Sequence, residues 1–133
     1  MVSPQNAIFV EGSRFHWALE YTRLPASDPG ALATAARRAL TQAPQSLNVV
    51  VAFGPALWKE LTPARVPAGL RPFESMGEPG KAEAPATQRD VLFWIHGPAM
   101  DDVFDAALSV HRSMASVGRL DLDVPGFVYH DSR

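Results

Sequence analysis

Asp90-Val91-Leu92-Phe93-Trp94-Ile95-His96 is the stretch that decides how the rest of this chain folds. In an extended backbone Val91, Phe93 and Ile95 point one way, and Leu92, Trp94 and His96 the other. A strand with one wet face alternates apolar with polar residues, and this one does not. It reads as a central strand with both faces covered, so the remaining residues must supply two covers.

Upstream, Arg14 to Arg23 alternates. Phe15, Trp17, Leu19 and Tyr21 share one face, and His16, Ala18, Glu20 and Thr22 share the other, which makes this the first core strand. Met1 to Gly12 reads as an irregular lead-in, with Ala7 to Val10 pairing as a short edge segment. Leu24-Pro25-Ala26-Ser27-Asp28-Pro29 carries helix-start chemistry: Ser27 or Asp28 as the cap and Pro29 at the first helical position. Leu32, Ala35, Ala36, Ala39 and Leu40 then form one stripe on a helix that runs to about Gln42. Alanine dominates that stripe, so the helix should lie close to its sheet. Arg37 and Arg38 fall off the stripe and read as solvated charge near a helix end. Leu47 to Phe53 is β-branched and forms the second strand; Gly54-Pro55 breaks it, and Ala56 to Leu61 is a short helix.

Thr62 to Arg89 holds Pro63, Pro67, Pro72, Pro79 and Pro85 with Gly69, Gly77 and Gly80. So long a connection without regular structure is uncommon in one domain; it reads as an ordered functional loop or a flap, with Phe73 and Met76 pinning its middle. Downstream of His96, Gly97-Pro98 turns the chain. Asp101 and Asp102 lie in the first turn of a second long helix, where the backbone dipole favours negative charge. Val103, Phe104, Ala107, Val110, His111 and Met114 make its stripe, and Gly118 caps its end. Leu120, Leu122 and Val124 alternate with Asp121 and Asp123 in a last strand that Pro125-Gly126 interrupts and Phe127-Val128-Tyr129 resumes.

The order strand, helix, strand, loop, strand, helix, strand is that of an α+β ferredoxin-like sandwich. It predicts a single domain over residues 1–133, with a four-stranded antiparallel sheet of order 4-1-3-2 and two helices on one face. The Arg14 and Asp90 strands are then central. The opposite face receives nothing from this chain except the long loop, and either the Trp17/Phe15 or the Trp94/Phe93 set must lie there. One large side chain left exposed forgoes roughly 1.5–3 kcal/mol, and a patch of several marks an association surface. The pattern therefore predicts a covering layer from a second copy of the chain or from a partner of like architecture.

Composition narrows the functions. The 133 residues are 47% hydrophobic and 20% charged with a net charge of −2, which gives no electrostatic case for nucleic acid or an anionic membrane. The absence of cysteine removes disulfides, thiolate nucleophiles and Cys-ligated metal. No signal peptide or membrane-spanning run is visible, so a cytoplasmic location is the expectation.

Several segments resemble one family. These are Pro4-Gln5 with Ala7-Ile8; Val49-Val50-Val51-Ala52-Phe53-Gly54 followed by Leu57-Trp58 and Leu61; Pro72-Phe73; and Gly126-Phe127-Val128-Tyr129 closing on Asp131-Ser132-Arg133. The most telling is Ala84-Pro85-Ala86-Thr87-Gln88-Arg89-Asp90-Val91-Leu92, an Ala-Pro-x-Thr-Gln-x-Asp-hydrophobic run ahead of a core strand. Together they resemble the N-terminal half of a dye-decolourising (DyP-type) haem peroxidase of the porphyrinogen-peroxidase-like branch. The resemblance implies two ferredoxin-like halves with facing sheets, haem in the C-terminal half, and peroxide-dependent oxidation of dyes, phenolics or porphyrinogens. It implies that the distal Asp of a Gly-x-x-Asp-Gly motif, the distal Arg and the proximal His all lie beyond Arg133. Gly126-Phe127-Val128-Tyr129-His130 has neither the Asp nor the second Gly of that motif. No catalytic, haem-binding or metal-ligating residue is therefore assigned to this chain, and no cofactor is expected for it alone.

The remaining chemistry-bearing residues have plain readings. His16 and His96 become neighbours on one sheet face only if the two central strands pair in the matching register. His111 reads as a core or boundary imidazole and His130 as a terminal one. Asp101, Asp102 and Asp105 read as helix-start charge, and Asp121 and Asp123 as solvated groups turned from the apolar side of their strand. Asp90 reads as the residue that holds the Thr87-Gln88 turn. The expected function is the N-terminal half of such a peroxidase, inactive alone. The alternative is a free-standing, self-associating dimeric α+β barrel-type binding or structural module without haem. A third reading is a cofactor-independent enzyme of that barrel type with His16 or His96 as base.

Overall fold

The computed structural model describes residues 3–78 and 80–130. In chain order its elements are β1 (Phe15–Arg23), α1 (Pro29–Gln42), β2 (Asn48–Phe53), α2 (Pro55–Leu61), β3 (Met76–Gly77), β4 (Glu83–Ala84), β5 (Val91–Gly97), α3 (Met100–Met114) and β6 (Gly118–Phe127). Four strands form an antiparallel sheet in the order β2-β5-β1-β6, so β5 and β1 are the inner pair.

The helices α1 and α3 lie together on one face. Asp28 caps α1 by accepting from the Ala31 N–H at 2.9 Å, and Pro29 opens it. Leu32, Ala36 and Ala39 are its buried residues, and Leu40 stays at the surface. Beneath the helices, Leu19, Tyr21, Val49, Val51, Val91, Phe93 and Ile95 join Val103, Ala106, Ala107, Val110 and Met114 of α3 in one core. Phe93 and Tyr21 meet edge to face at 6.0 Å between ring centroids.

Several expectations change. The buried stripe of α3 runs through Ala106, while Phe104 and His111 are exposed at its margin. The small Ala106 and Ala107 suit the side of α3 that sits against its neighbours, and the larger rings fall over the sheet's edge. Gly118 does not cap α3. It is buried where a Cβ would press on Tyr21 and Leu32 at 3.3–3.4 Å. Pro125-Gly126 does not interrupt β6, because β6 is an edge strand that tolerates a missing N–H. The lead-in forms a 3-10 turn over Asn6–Phe9 rather than an edge strand. Its tie to the sheet is the Gln5 carboxamide, which donates to the Val51 carbonyl (2.8 Å) and accepts from the Val51 N–H (2.9 Å), as a neighbouring strand would.

The long connection is held by polar contacts, since Phe73 and Met76 are exposed. The Phe73 N–H donates to the Gln88 side chain, the Ala86 N–H to Ser75 Oγ (2.8 Å), and β3 pairs with β4 in a two-residue ladder. Asp90 serves β1 and not the turn before it: its carboxylate accepts from the Arg23 N–H at 2.7 Å. Gly54 is required where β2 leaves the sheet, because a Cβ there would lie 2.3 Å from the Arg89 carbonyl oxygen.

Candidate docking face and its histidine pair

Pairing registers set what the second sheet face carries. Opposed residues of neighbouring strands share a face, so that face is built of ladders. One ladder joins Asn48, His96, His16 and Gly126; the next Val50, Trp94, Ala18 and Val124; the next Ala52, Leu92, Glu20 and Leu122. The two middle ladders are apolar except for Glu20. Leu92, Trp94, Ala18 and Leu122 are half-buried, and Ala52 and Val124 are exposed. The aromatic set left on this face is therefore Trp94, while Phe15, Trp17 and Phe93 pack toward the helices. The long loop does not roof the face: residues 71–78 and 80–89 are exposed. Gln88 and Arg89 reach its edge, in a shallow cleft with Glu20, Ala52 and Leu92.

A bulge at Glu20/Tyr21 changes the far strand. It leaves Leu120 on the helix side and sends Leu122 and Val124 to the open face. Asp123 consequently pairs across from Leu19 on the helix side and accepts from Trp17 Nε1–H. Asp121 is not a solvated group. It binds Arg119 (2.7 Å), Arg89 (3.2 Å) and the Thr22 hydroxyl. The Arg119 bond first, and the Thr22 bond second, hold its carboxyl below the usual carboxylate range.

At the opposite end of the face, His16 and His96 stand directly opposed, their rings stacked at 5.6 Å and 17°. Trp94 lies 4.4 Å from the His96 ring and 5.9 Å from that of His16. His96 is fully buried; its Nε2 lies 3.1 Å from the Ala7 carbonyl and its Nδ1 2.7 Å from Ser13 Oγ. A carbonyl only accepts, so Nε2 carries the proton and Nδ1 accepts from the hydroxyl. His16 repeats the arrangement: Nε2 donates to the Ser13 carbonyl (3.0 Å) and Nδ1 accepts from Trp94 Nε1–H (3.2 Å). Burial lowers the His96 pKa; the Ala7 carbonyl opposes this, and His16 adds to it.

These geometries leave no free ring nitrogen on either histidine. His111 is exposed on α3, 6.5 Å from the Tyr21 ring, and His130 is exposed beside Tyr129 at 4.1 Å. Among the described residues no three His, Asp or Glu side chains gather as a metal set. Neither His16 nor His96 fits a haem iron, which needs an imidazole nitrogen pointing into an open pocket. A general base would need the same free nitrogen near a substrate. Asp101, Asp102 and Asp105 are exposed at the start of α3.

Residues 13–128 match the family model described as "Dyp-type peroxidase, N-terminal". This chain belongs to the DyP-type peroxidase family. It is 36% identical over 87 residues to a dye-decolorizing peroxidase of Mycobacterium tuberculosis, a match covering 65% of this chain and 26% of that protein. DyPB from Rhodococcus jostii RHA1 superposes with a TM-score of 0.79 at 26% identity, over 98% of this chain and 44% of that one. A DypB variant from the same organism, solved in complex with heme, superposes at 0.77 with 27% identity, over 98% of this chain and 45% of that one. The DyP-type chain described here thus spans about a quarter of the curated relative's length and under half of the solved structures. No helix among its described residues is long and apolar enough to cross a membrane.

Proposed function

We propose that this chain is the scaffolding, non-haem half of a DyP-type peroxidase. Its open sheet face is covered by the haem-binding remainder of that fold. Peroxide-dependent oxidation of dyes, phenolics or porphyrinogens belongs to the assembled pair, and the chain alone is inactive. The observation that carries this reading is the apolar middle of the open face, with Ala18, Trp94, Val50 and Val124 in one ladder and Ala52, Leu92 and Leu122 in the next. The commitment of both nitrogens on His16 and His96 supports an inert scaffold.

Purified chain mixed with haemin should give no stoichiometric Soret shift and no peroxide-dependent bleaching of a dye. A Soret shift abolished by one His→Ala change would overturn the inactive reading. Without the remainder, the same face favours self-association, so light scattering should report a dimer or larger species. Adding a separately produced haem-binding half of a DyP-type relative should convert that species to a one-to-one complex. A monomer at high concentration that ignores the added half would sink the docking role.

A further inference from the structure

The segment from Gln5 to Ser13 crosses one end of the open face as a strap, and the histidine pair holds it at Ala7 and at Ser13. Ala7 is bound through its carbonyl to His96. Ser13 is bound twice, through its hydroxyl to His96 and through its carbonyl to His16. Between these anchors the strap has little of its own. Ile8, Phe9 and Val10 are 48%, 68% and 42% exposed, and Gly12 has φ +81°. The other attachments among the described residues include the Gln5–Val51 pair and, just beyond Ser13, Arg14, whose N–H donates to the Gly97 carbonyl at 3.2 Å and whose carbonyl accepts from the Val128 N–H at 2.8 Å.

We propose that the His16–His96 pair is an acid-released clasp for this strap, closed when both imidazoles are neutral and opened when one takes a proton. The reason is the direction of each hydrogen bond. A proton on His16 Nδ1 would face Trp94 Nε1–H, donor against donor, and the Trp94 bond is lost. Ser13 and Trp94 then no longer hold the ring at both nitrogens. A proton on His96 Nδ1 leaves a bond to Ser13 feasible, because the hydroxyl turns to accept. It places a cation in a fully buried site, 5.6 Å from the second ring. The Nε2–H bonds to the Ala7 and Ser13 carbonyls survive either event, so what opens the clasp is the cost of an uncompensated cation between two stacked rings under the strap, relieved when the strap lifts and lets water in.

Among the described residues nothing packed around the pair offsets such a charge. On β5 no other group is titratable, β2 faces His96 with Asn48, and β6 faces His16 with Gly126. On β1, Glu20 is two ladders away; Glu11 of the strap and Arg14 at its end are exposed. The helices lie on the other side of the sheet. Release would free an apolar Ile8-Phe9-Val10 segment and lay bare the end of the docking face now under it. The clasp stands on these contacts alone and does not require the docking role proposed above.

Amide hydrogen exchange on the full chain, corrected for the intrinsic pH dependence of exchange, tests the clasp directly. Between pH 7.5 and 5.5, protection across residues 5–13 should fall by about tenfold or more, while Phe93 and Ile95 amides in the sheet keep theirs. The combined change His16→Asn and His96→Gln supplies an acceptor toward Trp94 and a donor toward Ala7 without a titratable ring. It should leave strap protection independent of pH. Strap protection that is unchanged in the parent chain, that falls only together with the sheet, or that falls equally in the variant would overturn the clasp. Should the variant not fold, proton titration of the two imidazoles by NMR in the parent chain decides. Strap loosening must coincide with one of those titrations, and loosening outside both would overturn it.

Discussion

The two faces of this sheet are made from alternate residues of the same strands, yet they solve opposite problems. The helix side is closed by α1 and α3 and is apolar through its centre: Leu19, Phe93, Ile95 and Val91 are almost wholly buried. It carries one polar fault, since the Tyr21 hydroxyl is buried among the described residues without a hydrogen-bond partner. Burial, with Asp123 adding to it, raises the Tyr21 pKa. The open side reverses this. Apart from Glu20 and the buried Val50, its middle is apolar and half wet or exposed, whereas the ring nitrogens at its histidine end are all partnered. A face finished by its own chain can tolerate an orphan hydroxyl in a tight core. A face awaiting another layer must settle its polar groups beforehand and leave its apolar surface for the partner.

The largest expected effect separates neighbours on β5. Phe93→Ala should destabilise the chain by about 3–5 kcal/mol in a urea melt, because Phe93 is fully buried under the helices. Leu92→Ala, one residue away on the open face, should cost the isolated chain far less. Similar losses at the two positions would mean that this polypeptide already covers both faces. The next effect is on pH. The folded chain holds His96 below the ordinary histidine value of about 6.5. The unfolded chain therefore binds more protons as pH drops past that value, so stability is full above it and declines below, levelling only at the lower folded value. Urea midpoints measured from pH 8 to 5 should fall in that direction, and His96→Gln should flatten the fall.

The elements that sequence made legible share a cause. The double apolar face of β5 follows from its inner position, and the Asp28-Pro29 start of α1 from local backbone chemistry. What was not legible depends on relations between strands. The stacking of His16 on His96 needs a register that neither strand encodes alone. The bulge at Glu20/Tyr21 moved Asp123 to the helix side and Leu122 to the open one, against the plain alternation of β6. In α3 the size of Phe104 drew it into the expected stripe in place of Ala106, although close packing favours the small residue. Asp90 was legible as a hydrogen-bonding residue, but its partner at Arg23 is remote in sequence.

Smaller effects sharpen the contrast. Tyr21→Phe removes the orphan hydroxyl and keeps the ring against Phe93. It should leave stability unchanged or raise it by about 1 kcal/mol. A loss above that size would show that the hydroxyl is satisfied after all, by a water or by the Asp123 carboxylate that acts on it. The smallest change in stability is expected from Val124→Lys on the open face. Val124 is 49% exposed on an edge strand, so the folded chain alone should shift by no more than about 0.5 kcal/mol. Its value as a test lies in the contrast with association. A lysine ammonium set beside Ala18 and Trp94 must be dehydrated whenever a second layer covers that ladder, so self-association seen by light scattering should collapse while the urea midpoint stays put. If association survives the lysine, the contact lies elsewhere on the surface, and the apolar ladders of this face need another explanation.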